Sequence, residues 1–201
     1  LPVRFTFDNN YFNDPYQGIP IGGYTQIVEK LLDDPHITTQ VNTDFFSAKD
    51  DYLRNYDHII FSGMIDQFFN YRFGELGYRS LRFETKLLEE PNYQGNAVIN
   101  YTDAETPYTR IIEHKWFEFG NGNKQQTVIT HEYPQQWKRG VEPYYPINDS
   151  ANNHLFKQYR EYADANTPNV TFGGRLGLYR YYNMDQVIAA ALQFIETSQK
   201  F

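Results

Sequence analysis

Tyr101-Thr102-Asp103-Ala104-Glu105-Thr106-Pro107-Tyr108-Thr109-Arg110-Ile111-Ile112-Glu113-His114-Lys115 reads as a polar turn running into a strand. Asp103 to Pro107 supplies the turn residues, and Thr109 to Phe119 is strand-rich. Three neighbours have the same character: Tyr78 to Leu88, Asn96 to Tyr101, and Gln125 to Tyr133. Pro91-Asn92 and Gly120-Asn121-Gly122-Asn123 provide the other links. Consecutive strands joined by short polar connections predict an antiparallel sheet with one face open to solvent or ligand. The open face is expected to carry Arg79, Asn100, Arg110 and several tyrosines. An arginine among tyrosines, threonines and an asparagine suits an oxyanion and a polyol, because guanidinium is a fixed, charged fork for phosphate oxygens and tyrosine is a flat face with a hydroxyl at its edge.

Outward from this block the pattern changes to alternating helices and strands. Gly18 to Gly23 is a turn, and a helix is predicted from Tyr24 to Leu32 with Ile27, Val28, Leu31 and Leu32 as its apolar stripe. Asp33-Asp34-Pro35 stops it. A strand is expected over Ile37 to Phe46, with Val41 and Phe45 buried, and a second over His58 to Phe61 before the Ser62-Gly63 turn. In the last third a helix is predicted over Asn152 to Ala163 and a strand over Asn169 to Phe172. The glycine-rich Gly173-Gly174-Arg175-Leu176-Gly177 follows, then a helix from Met184 to Ser198 whose Asn183 and Gln186 have capping-box spacing. The fold class expected is α+β: an antiparallel sheet inserted between segments of an incomplete α/β nucleotide-binding layer.

Composition narrows the function classes. The 201 residues carry a formal net charge of -7, which disfavours a general nucleic-acid role. Aromatic residues make up 18% of the chain, too ring-rich for disorder. The absence of cysteine excludes disulfides, thiolate metal sites and cysteine nucleophiles. No apolar run reaches membrane-spanning length and no signal peptide is visible. The chain opens on Leu1 without a start Met and reads as an excised piece of a longer protein.

The remaining constellations admit two readings each. Gly173 to Gly177 can bring backbone amides to a pyrophosphate with Arg175 adding charge, or can be a tight turn with a surface arginine. The dinucleotide fingerprint G-x-G-x-x-G is absent. Arg4, Arg79 and Arg110 are either an anion-binding set or solvated sheet residues. Tyr144-Tyr145 between two prolines, and Tyr179, Tyr181 and Tyr182, can stack on a ligand or pack internally. The five histidines have no metal spacing, and no nucleophile has a supporting context, so an enzyme built this way needs a cofactor for its chemistry.

Leu1 to Arg4, Tyr11 to Tyr24, Tyr78 to Leu81, Gly95 to Asn100, Pro107 to His114, Glu142 to Asn148 and Phe172 to Tyr182 together resemble UDP-galactopyranose mutase, a flavoenzyme family. The Pro-Tyr-Thr-Arg-Ile and Glu-Pro-Tyr-Tyr-Pro blocks are the specific ones. The resemblance covers the chain end to end and implies the C-terminal half of such an enzyme. It implies interconversion of UDP-galactopyranose and UDP-galactofuranose through an adduct between the sugar and N5 of reduced FAD, with arginines clamping the diphosphate and no catalytic side-chain nucleophile. It further implies substrate-binding positions at Arg4 (on a mobile loop), Tyr16, Asn100, Arg110, Tyr145 and Tyr181. Arg79, Gly174, Arg175, Asn183 and Met184 would border the cofactor, whose main binding domain is expected outside this chain.

On this resemblance the organisation expected is residues 1–17 as substrate loop and linker, 18–75 as part of the FAD-binding layer, 76–148 as the substrate-binding sheet, and 149–201 as the rest of the layer. A cytoplasmic homodimer is implied for the full-length enzyme, with the isolated piece inactive. The chain departs from the family at Asn183, where Asp is common, and at Met64, where proline is usual. Two other classes fit the residues less well: a flavoprotein oxidoreductase of amine-oxidase-like architecture, and a non-catalytic UDP-sugar-binding module.

Overall fold

A computed structural model describes residues 13–198. In chain order the elements are α1 (Thr25–Leu32), a 3-10 turn (Phe45–Ser47), α2 (Lys49–Asn55), β1 (Ile59–Phe61), α3 (Ile65–Phe68), β2 (Tyr78–Leu88), β3 (Val98–Asn100) and β4 (Arg110–Glu113). A 3-10 helix (His114–Glu118), β5 (Thr127–Gln136), β6 (Tyr145–Pro146), α4 (Ser150–Asn166), β7 (Val170–Phe172), α5 (Gly174–Gly177) and α6 (Met184–Thr197) follow. Helices mixed with an antiparallel and a small parallel sheet make the chain α+β.

The chain divides into two units, one of residues 13–43 and 83–133, the other of 44–82 and 134–198. In the first, β3, β4 and β5 lie side by side with the later part of β2 next to β5. The register sets Asn100 opposite Arg110, and Arg110 opposite Glu132. Its interior is organised around a carboxylate. Glu113 is fully buried and accepts from Tyr93 N (3.0 Å), Gln94 N (2.8 Å), Gly95 N (3.2 Å) and Thr127 Oγ1 (2.7 Å). Burial pushes its carboxyl upward, but these donors together outweigh burial and hold it below the usual range. Lys115 Nζ is held in the same way, donating to Pro91 O (2.7 Å), Asn123 O (2.8 Å) and Gln126 O (2.8 Å).

The second unit has an aromatic core. Phe61, Phe68 and Phe172 are buried, with Phe68 5.0 Å from each of the other two rings. Phe45 joins them from the 3-10 turn, and Tyr159 and Tyr179 close the cluster from α4 and from beyond α5. β1 and β7 pair in parallel, Ile59 opposite Val170 and Phe61 opposite Phe172, so alternate residues of both strands enter this core. The start of β2 pairs with β6, Arg79 opposite Tyr145. α4 begins at Asp149, whose side chain accepts from Asn152 N at 2.8 Å, and stops at Thr167-Pro168, where proline cannot continue a helix.

Several elements differ from the sequence reading. Residues 37–44 are not a strand: Val41 is 75% exposed, and Phe45 instead opens a 3-10 turn whose Asp44 side chain caps Phe46 N. Alternating apolar letters in this stretch lack a neighbouring strand to pair with, and a strand without one has no ladder bonds. The stripe on α1 is present, but Ile27, Val28, Leu31 and Leu32 are all exposed. The strand expected over Thr109 to Phe119 ends at Glu113, where the chain tightens into a 3-10 helix that closes at Phe119 with a left-handed backbone, φ 58°. α2 and α3 were absent from the sequence reading because each is under eight residues, too short for a helical period to register.

Candidate functional site

The second unit concentrates the residues singled out from sequence. Arg175, on the one-turn helix α5, sits beside a pair of rings: its guanidinium carbon is 5.2 Å from the Tyr145 centroid and 4.8 Å from that of Tyr181. The two rings stack at 5.6 Å with planes 25° apart. Arg175 Nη1 donates to Tyr144 O at 2.9 Å, and Nη2 donates to Tyr182 O. Each terminal nitrogen keeps a second hydrogen, so the group can still meet an anion while fastening the Tyr144 and Tyr182 backbones. Arg79, in register with Tyr145 on β2, is exposed and contributes a second cation on that ladder. The arrangement combines fixed positive charge, ring faces and phenolic edges, a combination suited to a phosphorylated sugar.

Glycines make this turn possible. Gly174 has φ +68°, a left-handed backbone that strains any other residue. A Cβ on Gly177 would lie 2.9 Å from Phe61 O, so only glycine lets α5 sit against β1. Close packing is therefore one task of this glycine run, beside whatever Gly174 offers to a ligand.

Tyr179 lies behind the cluster, 3% exposed and also left-handed at φ 47°. Its hydroxyl donates to Gly77 O and, at 3.0 Å, faces Ile147 O, while accepting from Ile147 N at 3.2 Å. Burial pushes the phenol up to about 12. Its ring meets Tyr78 edge-on at 5.4 Å. Tyr78 in turn donates to Asp66 Oδ1 at 3.2 Å, and Asp66 also accepts from Gln67 N and from Leu76 N at 2.9 Å. Asp66 is fully buried, and desolvation raises its carboxyl despite those bonds.

At the start of α6, Asn183 and Gln186 form a capping box, with Gln186 Oε1 accepting the Asn183 N–H at 2.9 Å. Asn and Asp cap helices equally well, so Asn183 keeps this structural role while removing a negative charge. Met184 is 58% exposed beside it. The second unit thus carries a left-handed glycine backbone at Gly174, an exposed thioether at Met184 and a capped helix start at Asn183.

In the first unit, Arg110 has its Nε buried and 3.3 Å from Glu132 Oε1, a charge pair without hydrogen-bond alignment, while its side chain is 41% exposed overall. Thr109 Oγ1 donates to the same Glu132 oxygen at 2.8 Å, orienting the carboxylate. Asn100 is exposed on the neighbouring strand, opposite Arg110. Behind them Tyr101, Tyr108, His131 and Tyr133 form a ring cluster, Tyr108 meeting Tyr101 at 4.9 Å and His131 at 4.8 Å. Burial, helped by the Lys86 cation and partly offset by Glu84, lowers the His131 pKa. Tyr16 is 93% exposed, and Arg4 lies outside the described residues. Sequence reasoning missed Glu132, whose pairing with Arg110 depends on strand register. For Tyr179 it offered stacking on a ligand or internal packing; the structure packs it internally, with hydroxyl partners 32 and 102 residues away.

Among the described residues no helix is long and apolar enough to cross a membrane. The sequence matches the family described as UDP-galactopyranose mutase over residues 1–181. It is 41% identical over 193 residues to a probable UDP-galactopyranose mutase of Klebsiella pneumoniae, covering 96% of this chain and 49% of the relative. It is 40% identical over 196 residues to the dTDP-fucopyranose mutase of Escherichia coli, covering 96% and 52%. With the UDP-galactopyranose mutase of Mycoplasma pneumoniae the identity is 37% over 204 residues, covering 96% and 51%. The chain thus spans about half the length of the curated relatives it matches. A match over residues 1–181 makes this chain a member of the UDP-galactopyranose mutase family.

Proposed function

We propose that this chain forms part of an FAD-dependent mutase that interconverts the pyranose and furanose forms of UDP-galactose. The observation that carries the reading is the Arg175 cluster, where a guanidinium is held beside the stacked Tyr145 and Tyr181 rings with Arg79 on the adjoining ladder. Arg79 supplies charge to the diphosphate or to the cofactor beside it, and the Tyr145 and Tyr181 hydroxyls hydrogen-bond phosphate or sugar oxygens. Arg110, its Nε side set by Glu132, offers its outer nitrogens to a diphosphate from the first unit, with Asn100 available to a sugar hydroxyl.

Gly174, Arg175, Asn183 and Met184 would border the flavin. Reduced flavin supplies the electron-rich centre that makes and breaks the anomeric bond, so the protein's task is to bind, orient and exclude water. That division of labour is supported by a site rich in cations and phenols.

The test is turnover of UDP-galactopyranose by the full-length protein with its flavin reduced. Arg110→Ala and Arg79→Ala are expected to lower kcat/KM by at least about 100-fold, since each removes a charged contact to a diphosphate. Wild-type activity in both variants would end the reading. Arg4→Ala tests the mobile-loop expectation in the same assay.

A second reading has one observation behind it: the dTDP-fucopyranose mutase is 40% identical, against 41% for the Klebsiella relative. A dTDP-linked 6-deoxy sugar is therefore the competing substrate. Assaying both sugar nucleotides side by side decides between them by the ratio of their kcat/KM values.

A further inference from the structure

We infer that Tyr179 is a positioning residue, its single phenolic oxygen fixing the spacing between Arg175 and the strands that carry Arg79 and Tyr145. The inference rests on the reading of this cluster as a substrate site. Three chain segments meet at that oxygen. It donates to Gly77 O, two residues before Arg79, and it engages both N–H and C=O of Ile147, two residues after Tyr145. Gly77 O also accepts from Ile147 N at 2.9 Å, so the phenol closes the end of the short β2–β6 ladder. That ladder registers Tyr78 with Pro146 and Arg79 with Tyr145, and Tyr144 N to Arg79 O (3.0 Å) and Ser80 Oγ to Glu142 O (2.6 Å) fasten its far end, so the phenol secures the end at Ile147.

The backbone of Tyr179 makes the second half of the link. It follows α5, with Tyr179 N donating to Leu176 O at 3.3 Å and Arg180 N to Arg175 O at 3.0 Å. The left-handed φ of 47° reverses the chain there, and two residues later Tyr181 lies over Arg175. A bulky side chain in that conformation is strained. Glycine would remove the strain but lose the phenol, and the phenol ties the Arg175 turn to the ladder bearing Tyr145. The stacked Tyr145–Tyr181 pair with Arg175 at its side therefore depends on a residue that points away from it into the core.

Tyr159 is a matched control in the same unit. It is fully buried, donates to Gly74 O at 2.7 Å and accepts from Phe73 N at 3.0 Å, but none of its partners is on the Arg79 or Tyr145 ladder. In the full-length protein, Tyr179→Phe and Tyr159→Phe each keep the ring and delete the hydroxyl. Two readouts are taken on both variants. The first is KM and kcat for UDP-galactose: Tyr179→Phe is expected to raise KM about tenfold, with kcat falling less, whereas Tyr159→Phe leaves KM within about twofold. The second needs no substrate: phenylglyoxal labelling of Arg175, followed by mass spectrometry with the exposed Arg180 as internal reference. Release of the Tyr145 and Tyr181 rings is expected to speed Arg175 labelling about tenfold in Tyr179→Phe alone.

Equal Arg175 labelling in wild type and both variants overturns the positioning role whatever the substrate. Faster labelling together with an enzyme inactive on UDP-galactose overturns the functional reading and leaves the positioning role standing. Equal KM shifts in the two variants reduce Tyr179 to a stability residue and refute the inference.

Discussion

Rings fill the interior of the unit made of residues 44–82 and 134–198, where Phe61, Phe68, Phe172, Tyr159 and Tyr179 lie against one another. In the other unit, Ile111 and Ile129 are the buried hydrophobic residues among those described, and Glu113, Thr127, Thr130, His131 and Glu132 are buried beside them. One interior is held by removal of apolar surface from water, the other by polar groups that satisfy each other. The buried carboxylates sharpen the contrast. Glu113 collects enough donors to fall below its usual pKa, whereas the donors around Asp66 do not offset its desolvation and it rises. The number and quality of donors, not burial alone, set the direction.

The largest effect is expected from Phe68→Ala, which empties a site in contact with at least four other rings. A loss of about 3–5 kcal/mol in urea unfolding is expected. A loss under about 1 kcal/mol would mean that the ring cluster is not the main support of its unit. Next is Glu113→Ala, which strands three backbone N–H groups and a hydroxyl. About 3 kcal/mol is expected, with faster hydrogen exchange at Tyr93 to Gly95. Exchange unchanged there would break the contrast between the two interiors.

The same pair separates by pH. The Glu113 carboxyl, depressed in the folded state, contributes stability that is complete above its unfolded value near 4.5 and is lost as pH falls through the lower folded value. Asp66, raised in the folded state, acts in the opposite sense: stability falls as pH climbs from its unfolded value near 3.8 through the folded one. Unfolding free energy measured against pH should therefore flatten on the acid side in Glu113→Gln and above pH 3.8 in Asp66→Asn. Identical profiles for the two variants would contradict the opposed shifts.

Smaller effects test the helix ends. Asn183→Asp keeps the cap and returns a negative charge to the N-terminus of α6, which should add about 0.3–1 kcal/mol at low salt. The smallest change is expected at Leu192, 60% exposed on α6: replacement by Ala should shift the stability of this chain by under about 0.5 kcal/mol. A larger loss would show that α6 is more closely packed than its exposed Met184, Ile188, Leu192 and Ile195 indicate.

Sequence pattern revealed the parts of this fold that depend on local rules. β2 runs from Tyr78 to Leu88 as its alternation predicts, and α6 begins after Asn183 because the Asn183–Gln186 pair is a local device. α4 extends a little past the expected Asn152 to Ala163 at both ends because Asp149 caps it and Pro168 stops it later. Residues 37–44 were misread because strand letters without a partner strand carry no information about pairing. At the site, Arg79, Tyr145, Arg175 and Tyr181 were legible through family blocks, and the structure brings Tyr145, Arg175 and Tyr181 into contact. The pairing of Arg110 with Glu132 and the partners of Tyr179 were not legible, because both depend on register between strands distant in sequence.

Lys115 carries a consequence for chemical labelling. All three hydrogens of its ammonium point at main-chain oxygens, one in the loop at Pro91 and two in the loop before β5, so no lone pair can be presented to an electrophile without undoing them together. Acylating reagents that decorate the remaining lysines should pass it by. Arginine, with planar nitrogens in place of a tetrahedral head, would be a poor substitute, and the segment around Asn121-Gly122-Asn123 would be the first to come loose.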